Sequence, residues 1–236
     1  MKPIWMKLTY WRNLTSFHPA IRAAAFATAL QSGAVFKRFG SAATPSGTYF
    51  HHNAATTAHP FWARAFDRER AGVREFLEIG AFEGRTTSFA ARLFANARIT
   101  AIDPWTDYSE MNDLPRAEAS FLQNTAEFAP RIRAFKESSL TVLPQLLRAG
   151  ERFDVIFIDG SHAYADVMID SQLSWMLLKP GGVLIWDDYL WRKMGYGRRA
   201  PKLAIDQFLT AFRGQYEPLW AFKQVVIRKH GDIVRQ

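Results

Sequence analysis

From Arg74 onward the chain alternates short apolar runs with helix-like segments, and this alternation limits its fold more than any other feature. Five β-prone runs occur, at Glu75–Ile79, Ile99–Ile102, Ile132–Phe135, Phe153–Ile158 and Gly182–Trp186. Between them Thr86–Phe94, Ala117–Phe128, Leu140–Arg148 and Ala163–Leu178 carry helical patterns, the last running into the stop signal LKPGG. Strands separated by whole helices pair through crossovers rather than hairpins, so they run parallel, with helices on both faces of one sheet. The fold class expected is therefore α/β, a doubly wound parallel sheet. After the fifth run come a basic loop, Trp191–Arg199, a helix from about Pro201 to Phe212, and two further strands, Tyr216–Trp220 and Gln224–Lys229. Only Ala221–Lys223 joins those last two, which permits nothing but an antiparallel hairpin.

Ahead of this pattern the chain has a different texture. The first acidic residue is Asp67, and Met1–Phe36 is dotted with Arg and Lys, with Trp5, Tyr10, Trp11, Phe17, Ile21 and Phe26 as candidate anchors. One or two amphipathic helices are expected here, either capping the domain core or forming an interfacial or leader-like segment. Gly40–Pro60 has turn-forming residues without periodicity and reads as a linker into a short helix around Phe61–Arg70; His51, His52 and His59 are expected to be solvated. The organisation expected is an N-terminal helical extension and linker over residues 1–60 and one domain over residues 61–236, a size suited to a single core with an appendage.

Composition excludes several classes. Nearly half of the 236 residues are hydrophobic, enough for a packed core, yet no window approaches the eighteen or so apolar residues of a membrane span. With no cysteine, disulfide frameworks, thiolate metal sites and cysteine nucleophiles are excluded together, so any metal must be held by oxygen or imidazole. The net charge of +8 is uneven: residues 1–70 carry +7, residues 71–190 carry −6 and residues 191–236 carry +7. Basic flanks around an acidic middle suit either solubility or contact with nucleic acid, anionic lipid or a phosphorylated substrate.

The candidate chemistry lies at the expected C-terminal strand ends. In FLEIGAFEGRTT, Glu78, Gly80 and Gly84 occupy the turn from the first strand into its helix, where glycine allows close backbone approach and the helix N-terminus offers free N–H donors. In ITAIDPW, Asp103 ends the second strand, where an acid can accept hydrogen bonds from both ribose hydroxyls of a nucleoside cofactor. Asp159 in FIDGSHAY, and Asp187 with Asp188 in IWDDYLW, end the next two strands of the acidic half. Carboxylates crowded on one edge either hold a hard cation such as Mg²⁺ or serve as a helix cap and backbone acceptors. His162, three residues after Asp159, is either a structural imidazole or a proton acceptor, and Ser138 with Ser139 either cap the next helix or line the cofactor.

Together these motifs resemble a class I S-adenosylmethionine-dependent methyltransferase over about Phe61–Lys229. Within that superfamily the chain is most similar to bacterial members with LEIGxFEG, IDPW, IDGSHxxxDV, LLKPGG and DDYxW signatures, relatives of the metal-dependent O-methyltransferases of catechol, caffeoyl-coenzyme A and macrolide-sugar type. The resemblance implies a Rossmann-like seven-stranded sheet of order 3214576 with only the last strand antiparallel. It implies that Glu78, Gly80 and Gly84 surround the methionine end of S-adenosylmethionine, that Asp103 holds the ribose, and that Ser138 and Asp159 line the cofactor site. It places Mg²⁺ or another divalent ion on Asp159, Asp187 and Asp188. Catechol-type relatives carry a basic lysine at the place of His162, whereas the sugar-type relatives use an aspartate at the place of Ser161. The activity implied is methyl transfer to a hydroxyl of a small molecule or glycan, in the cytoplasm.

Three other readings compete with it. A nucleic-acid methyltransferase would use the basic flanks, but IDGS stands where an NPPY-like or DPPY-like motif would be expected. A binding module could retain the pocket without chemistry, and a scaffold could make peripheral membrane contact through the basic aromatic N-terminus.

Overall fold

A computed structural model describes residues 17–40, 50, 58–106, 116–190 and 200–231. Helices α1 (Pro19–Phe39) and α2 (His59–Ala65) precede strand β1 (Glu75–Ile79). Then follow α3 (Arg85–Leu93), β2 (Arg98–Ile102), α4 (Ala117–Thr125), β3 (Ile132–Phe135), α5 (Ser139–Arg148), β4 (Phe153–Ile158), α6 (Tyr164–Leu177), β5 (Leu178–Trp186), α7 (Ala200–Ala211), β6 (Tyr216–Ala221) and β7 (Val225–Lys229). The strands form one sheet in the order β3-β2-β1-β4-β5-β7-β6, parallel except that β7 runs antiparallel to both of its neighbours. This is the Rossmann-like order expected from the resemblance.

Successive side chains of a strand point to opposite faces, and the core divides accordingly. Leu77, Ile79, Ile156, Ile158, Leu184 and Trp186 share one cluster with α5, α6 and α7, while Phe76, Val155, Phe157, Val183 and Ile185 share the other with α2 and α3. Both faces of the central strands are covered, so they read as continuous apolar runs. The same alternation puts Glu78 on the α3 face, at the last turn of strand before the glycine-rich loop.

Helix α1 belongs to this core. Ile21, Ala25 and Ala29 join the first cluster, Val35 joins the second, and the Thr28 hydroxyl accepts from the Ala221 N–H of edge strand β6 at 3.3 Å. Covering an edge strand with a helix removes a template for aberrant pairing. Among the described residues no helix is long and apolar enough to cross a membrane.

The sequence pattern and the structure differ in a few places. The helix expected over Ala117–Phe128 ends at Thr125 and tightens into a 3-10 turn over Ala126–Arg131, where Pro130 cannot donate a helical hydrogen bond. Strand β5 starts at Leu178, so LKPGG is also strand, with a register break opposite Phe153 and Val155. His59 is buried rather than solvated, lying flat on the Phe89 ring at 3.9 Å. Trp5, Tyr10, Trp11, His51, His52 and the basic loop Trp191–Arg199 lie outside the described residues.

Candidate active site

The turn after β1 is glycine-dependent for a steric reason. Gly80 has φ +89°, and a Cβ there would stand 2.1 Å from the Asp159 carbonyl oxygen. The β1 and β4 chains therefore touch where both leave the sheet. Gly84, at φ +76°, is the N-cap of α3 and faces Phe121 and Thr125 of α4, with a Cβ 2.9 and 2.7 Å from their side chains. Its side is thus closed by helix packing, and what it offers a ligand is its backbone and the free N–H groups of the first helical turn.

Asp103 is buried at the end of β2 and ties two loops together. One oxygen accepts from the Phe82 N–H and the other from the Trp105 N–H, both at 2.8 Å. The Trp105 indole N–H closes the loop by donating to the Phe82 carbonyl at 2.8 Å, and its ring packs on Phe121. Phe82 and Trp105 both adopt positive φ, a strained conformation that clusters at binding sites. Phe82 and Trp105 were not singled out in the sequence; the only trace of them is the aromatic residue inside each motif.

Glu78 is fully enclosed and accepts from the Thr87 hydroxyl of α3. Burial pushes its carboxyl up to about 8 and the nearby Asp103 adds to this, while the Thr87 bond opposes it. Asp159 is raised well above the carboxylate range by burial and then by Asp187 and Asp188, and Asp187 is raised to about 6 by burial and then by Asp188. All three strand-end aspartates keep some exposed surface toward the cleft. Ser138, also exposed, caps α5 by accepting from the Leu140 N–H at 3.2 Å, which is the capping role weighed above.

His162 and Asp188 meet directly, Nε2 to Oδ2 at 2.7 Å. They border a small cleft lined by Ile158, Asp159, Asp187, Trp186 and Pro201, which is the first turn of α7. Asp187 accepts from the Asp188 N–H at 2.7 Å through one oxygen and from the Gln224 amide at 2.9 Å through the other. Gln224 in turn accepts from the Trp62 indole at 2.8 Å. Neither Gln224 nor Trp62 carries a local sequence signal, being 162 residues apart.

The chemistry of the three aspartates fits a divalent cation, because burial and neighbouring carboxylates disfavour the bare charges of Asp159 and Asp187 and oxygen donors suit a hard ion. No coordination sphere is closed in advance. Among the described residues no three His, Asp or Glu side chains are grouped to hold a metal ion.

Comparison with known proteins agrees with this fold. Residues 77–189, which run from β1 to just beyond β5, match a family described as a methyltransferase domain. The O-methyltransferase TomG of Streptomyces achromogenes, solved with S-adenosylmethionine and described as involved in tomaymycin synthesis, superposes with a TM-score of 0.56 at 19% identity, over 86% of this chain and 89% of TomG. An O-methyltransferase of Bacillus cereus with S-adenosylhomocysteine matches with TM-score 0.56 and 18% identity, over 85% and 90% of the two chains. MycE, of the mycinamycin biosynthetic pathway, solved with Mg, S-adenosylhomocysteine and mycinamycin VI, gives 0.57 and 19%, over 87% of this chain and 56% of MycE. A curated protein of Acanthamoeba polyphaga mimivirus, uncharacterized protein R132, is 28% identical over 119 residues, 48% of this chain; the chain spans about half the length of that relative, 51%.

Proposed function

We propose that this chain is a class I S-adenosylmethionine-dependent methyltransferase whose methyl acceptor is a hydroxyl oxygen of a small molecule or glycan. The observation that carries the oxygen acceptor is the His162–Asp188 pair beside Asp159 and Asp187, on the edge where the cofactor motifs of β1 and β2 also end. A hydroxyl must lose its proton as it attacks, and an imidazole held by a carboxylate is suited to accept it near neutral pH.

S-adenosylmethionine supplies an activated methyl carbon, and formation of the C–O bond there is balanced by cleavage of the C–S bond. The protein's own residues bind, orient and move the proton. The Gly80–Gly84 turn brings backbone N–H groups to the methionine end, Glu78 ionises beside its positive charge, and Asp103 receives the ribose hydroxyls. Ser138, at the cap of α5, lines the same cofactor site. With Nε2–H donated to Asp188, the lone pair of His162 is on Nδ1, which accepts the acceptor's proton. Asp159, Asp187 and Asp188 are the residues that would hold a divalent cation, which would lower the hydroxyl pKa and fix its direction of attack.

Thermal unfolding with and without S-adenosylmethionine, first in chelator and then in Mg²⁺, tests this reading. Ligand at a hundred times its dissociation constant stabilises the folded state by about 2.7 kcal/mol. For a chain of this length that is an upward shift of roughly 5–10 °C. A further shift with Mg²⁺, lost in Asp187→Ala, is expected. No shift with cofactor under either condition overturns the cofactor site, and a cofactor shift without an ion shift removes the metal alone.

A further inference from the structure

Gln224 immediately precedes β7, opposite Asp187 in the antiparallel register that pairs Trp186 with Val225. Its side chain is buried, and its backbone is fixed from both sides. The Phe222 N–H donates to the Gln224 carbonyl and the Tyr189 N–H to the Lys223 carbonyl, each at 2.7 Å. An amide can present either its oxygen or its NH₂ to a neighbour, and here the choice is forced. The Trp62 indole N–H is a donor only, so it must face the amide oxygen, which turns the NH₂ toward the Asp187 carboxyl. Trp62 itself cannot turn away, wedged edge-on against Phe157 at 5.0 Å and packed against Phe76 and Phe89.

The consequence reaches the cleft. With Gln224 on one oxygen and the Asp188 N–H on the other, the Asp187 carboxyl has one orientation, and Asp188 is held at φ +56°. We infer that Gln224 is a positioning residue for the catalytic edge, with Trp62 setting the polarity of its amide. Helix α2, which lies outside the matched methyltransferase domain, thereby aims a carboxylate at the methyl-transfer cleft. This rests on the reading in which Asp187 serves that cleft as a ligand for a divalent ion.

The test measures Mg²⁺ binding calorimetrically on protein saturated with S-adenosylhomocysteine, together with the affinity for S-adenosylhomocysteine itself. Gln224→Met keeps the side-chain length and removes the donor. It is expected to weaken Mg²⁺ about 10–100-fold, the usual cost of losing an outer partner of a metal ligand, while S-adenosylhomocysteine binding changes less than about threefold. Trp62→Phe leaves the amide free to turn over and gives a smaller loss. The double variant is no worse than Gln224→Met alone, because both act through one bond. Should Gln224→Met fail to fold, Trp62→Phe carries the test by its Mg²⁺ affinity. Unchanged Mg²⁺ affinity in a folded variant, or losses that multiply in the double variant, overturns the relay. Wild-type protein that binds S-adenosylhomocysteine but no divalent ion overturns it too and leaves the methyltransferase reading standing; binding of neither removes that reading itself.

Discussion

Replacing Glu78 by Gln gives the sharpest test of how this site stores charge. Glu78 is enclosed at the end of β1, and burial moves its carboxyl from the ordinary 4.5 to about 8. Below about pH 4.5 both the folded and unfolded chains hold the proton, so the group has no effect on stability. Between about 4.5 and 8 only the unfolded chain releases it, so stability falls as pH rises, by about 1.36 kcal/mol per pH unit. Above 8 both states are ionised and the whole cost is present, roughly 3–5 kcal/mol from a shift of this size.

Gln keeps an oxygen for the Thr87 hydroxyl and never ionises, so the variant should match wild type near pH 4.5 and exceed it by roughly 3–5 kcal/mol at pH 8. Urea unfolding across pH 5–8 measures the difference directly. Asp187 shifts in the same direction but remains in both proteins and cancels in the comparison, whereas Asp159, raised in part by Glu78, is relieved in the variant and adds to the difference with the same sign. Difference curves that stay flat over this range would refute the claim that Glu78 is neutral in the cofactor-free protein. The same reasoning predicts proton release when S-adenosylmethionine binds at pH 7, seen as a binding heat that varies with the ionisation enthalpy of the buffer.

Three further substitutions probe the edge. Gly80→Ala places a Cβ against the Asp159 carbonyl at positive φ and should cost about 4 kcal/mol or more in urea unfolding; a loss under about 1 kcal/mol would mean that the two turns move apart freely. Asp103→Asn offers one acceptor oxygen where two N–H groups need partners, so it should cost about 1–3 kcal/mol of stability and at least tenfold in cofactor affinity, read by denaturation and calorimetry. His162→Ala should lower kcat about 10²–10⁴-fold with little change in the KM for S-adenosylmethionine. Adding Asp188→Asn to it should lower kcat little further, because the two act as one unit; multiplicative losses would dissolve the pair.

The sheet was legible because its signals are local. A five-residue strand such as Glu75–Ile79 announces itself by β-prone residues ending at a glycine, and the crossover rule then makes the strands parallel, while their order came from the resemblance. The placement of acids at strand ends was legible for the same reason: Asp103, Asp159 and the Asp187–Asp188 pair each stop an apolar run. What escaped depends on contacts between distant segments. Trp62 and Gln224 lie 162 residues apart, and nothing near either distinguishes an amide that aims a carboxylate from one that faces water. His59 was misjudged because its turn-rich surroundings suggest solvent, whereas the aromatic face of Phe89 that buries it comes from another element.

The acids of this edge are held mainly by neutral donors, and that choice matters for function. Asp103 is gripped by two backbone N–H groups, Glu78 by a hydroxyl, and Asp187 by an amide and a backbone N–H. A lysine or arginine in those places would fix the same side chains and cancel their charge. Neutral donors orient the carboxylates without cancelling their charge, so burial first and the neighbouring acids second keep Glu78, Asp159 and Asp187 raised. The cost in stability is recoverable by a ligand that brings positive charge, as the sulfonium and ammonium groups of S-adenosylmethionine would in the proposed site. The exception is Asp188, whose partner is the imidazole of His162, the pair to which the proposed function gives the proton. Under the proposed function, one edge of the sheet would separate two tasks: carboxylates aimed by uncharged groups would attract the cationic cofactor, and one carboxylate paired with an imidazole would handle the proton of the acceptor.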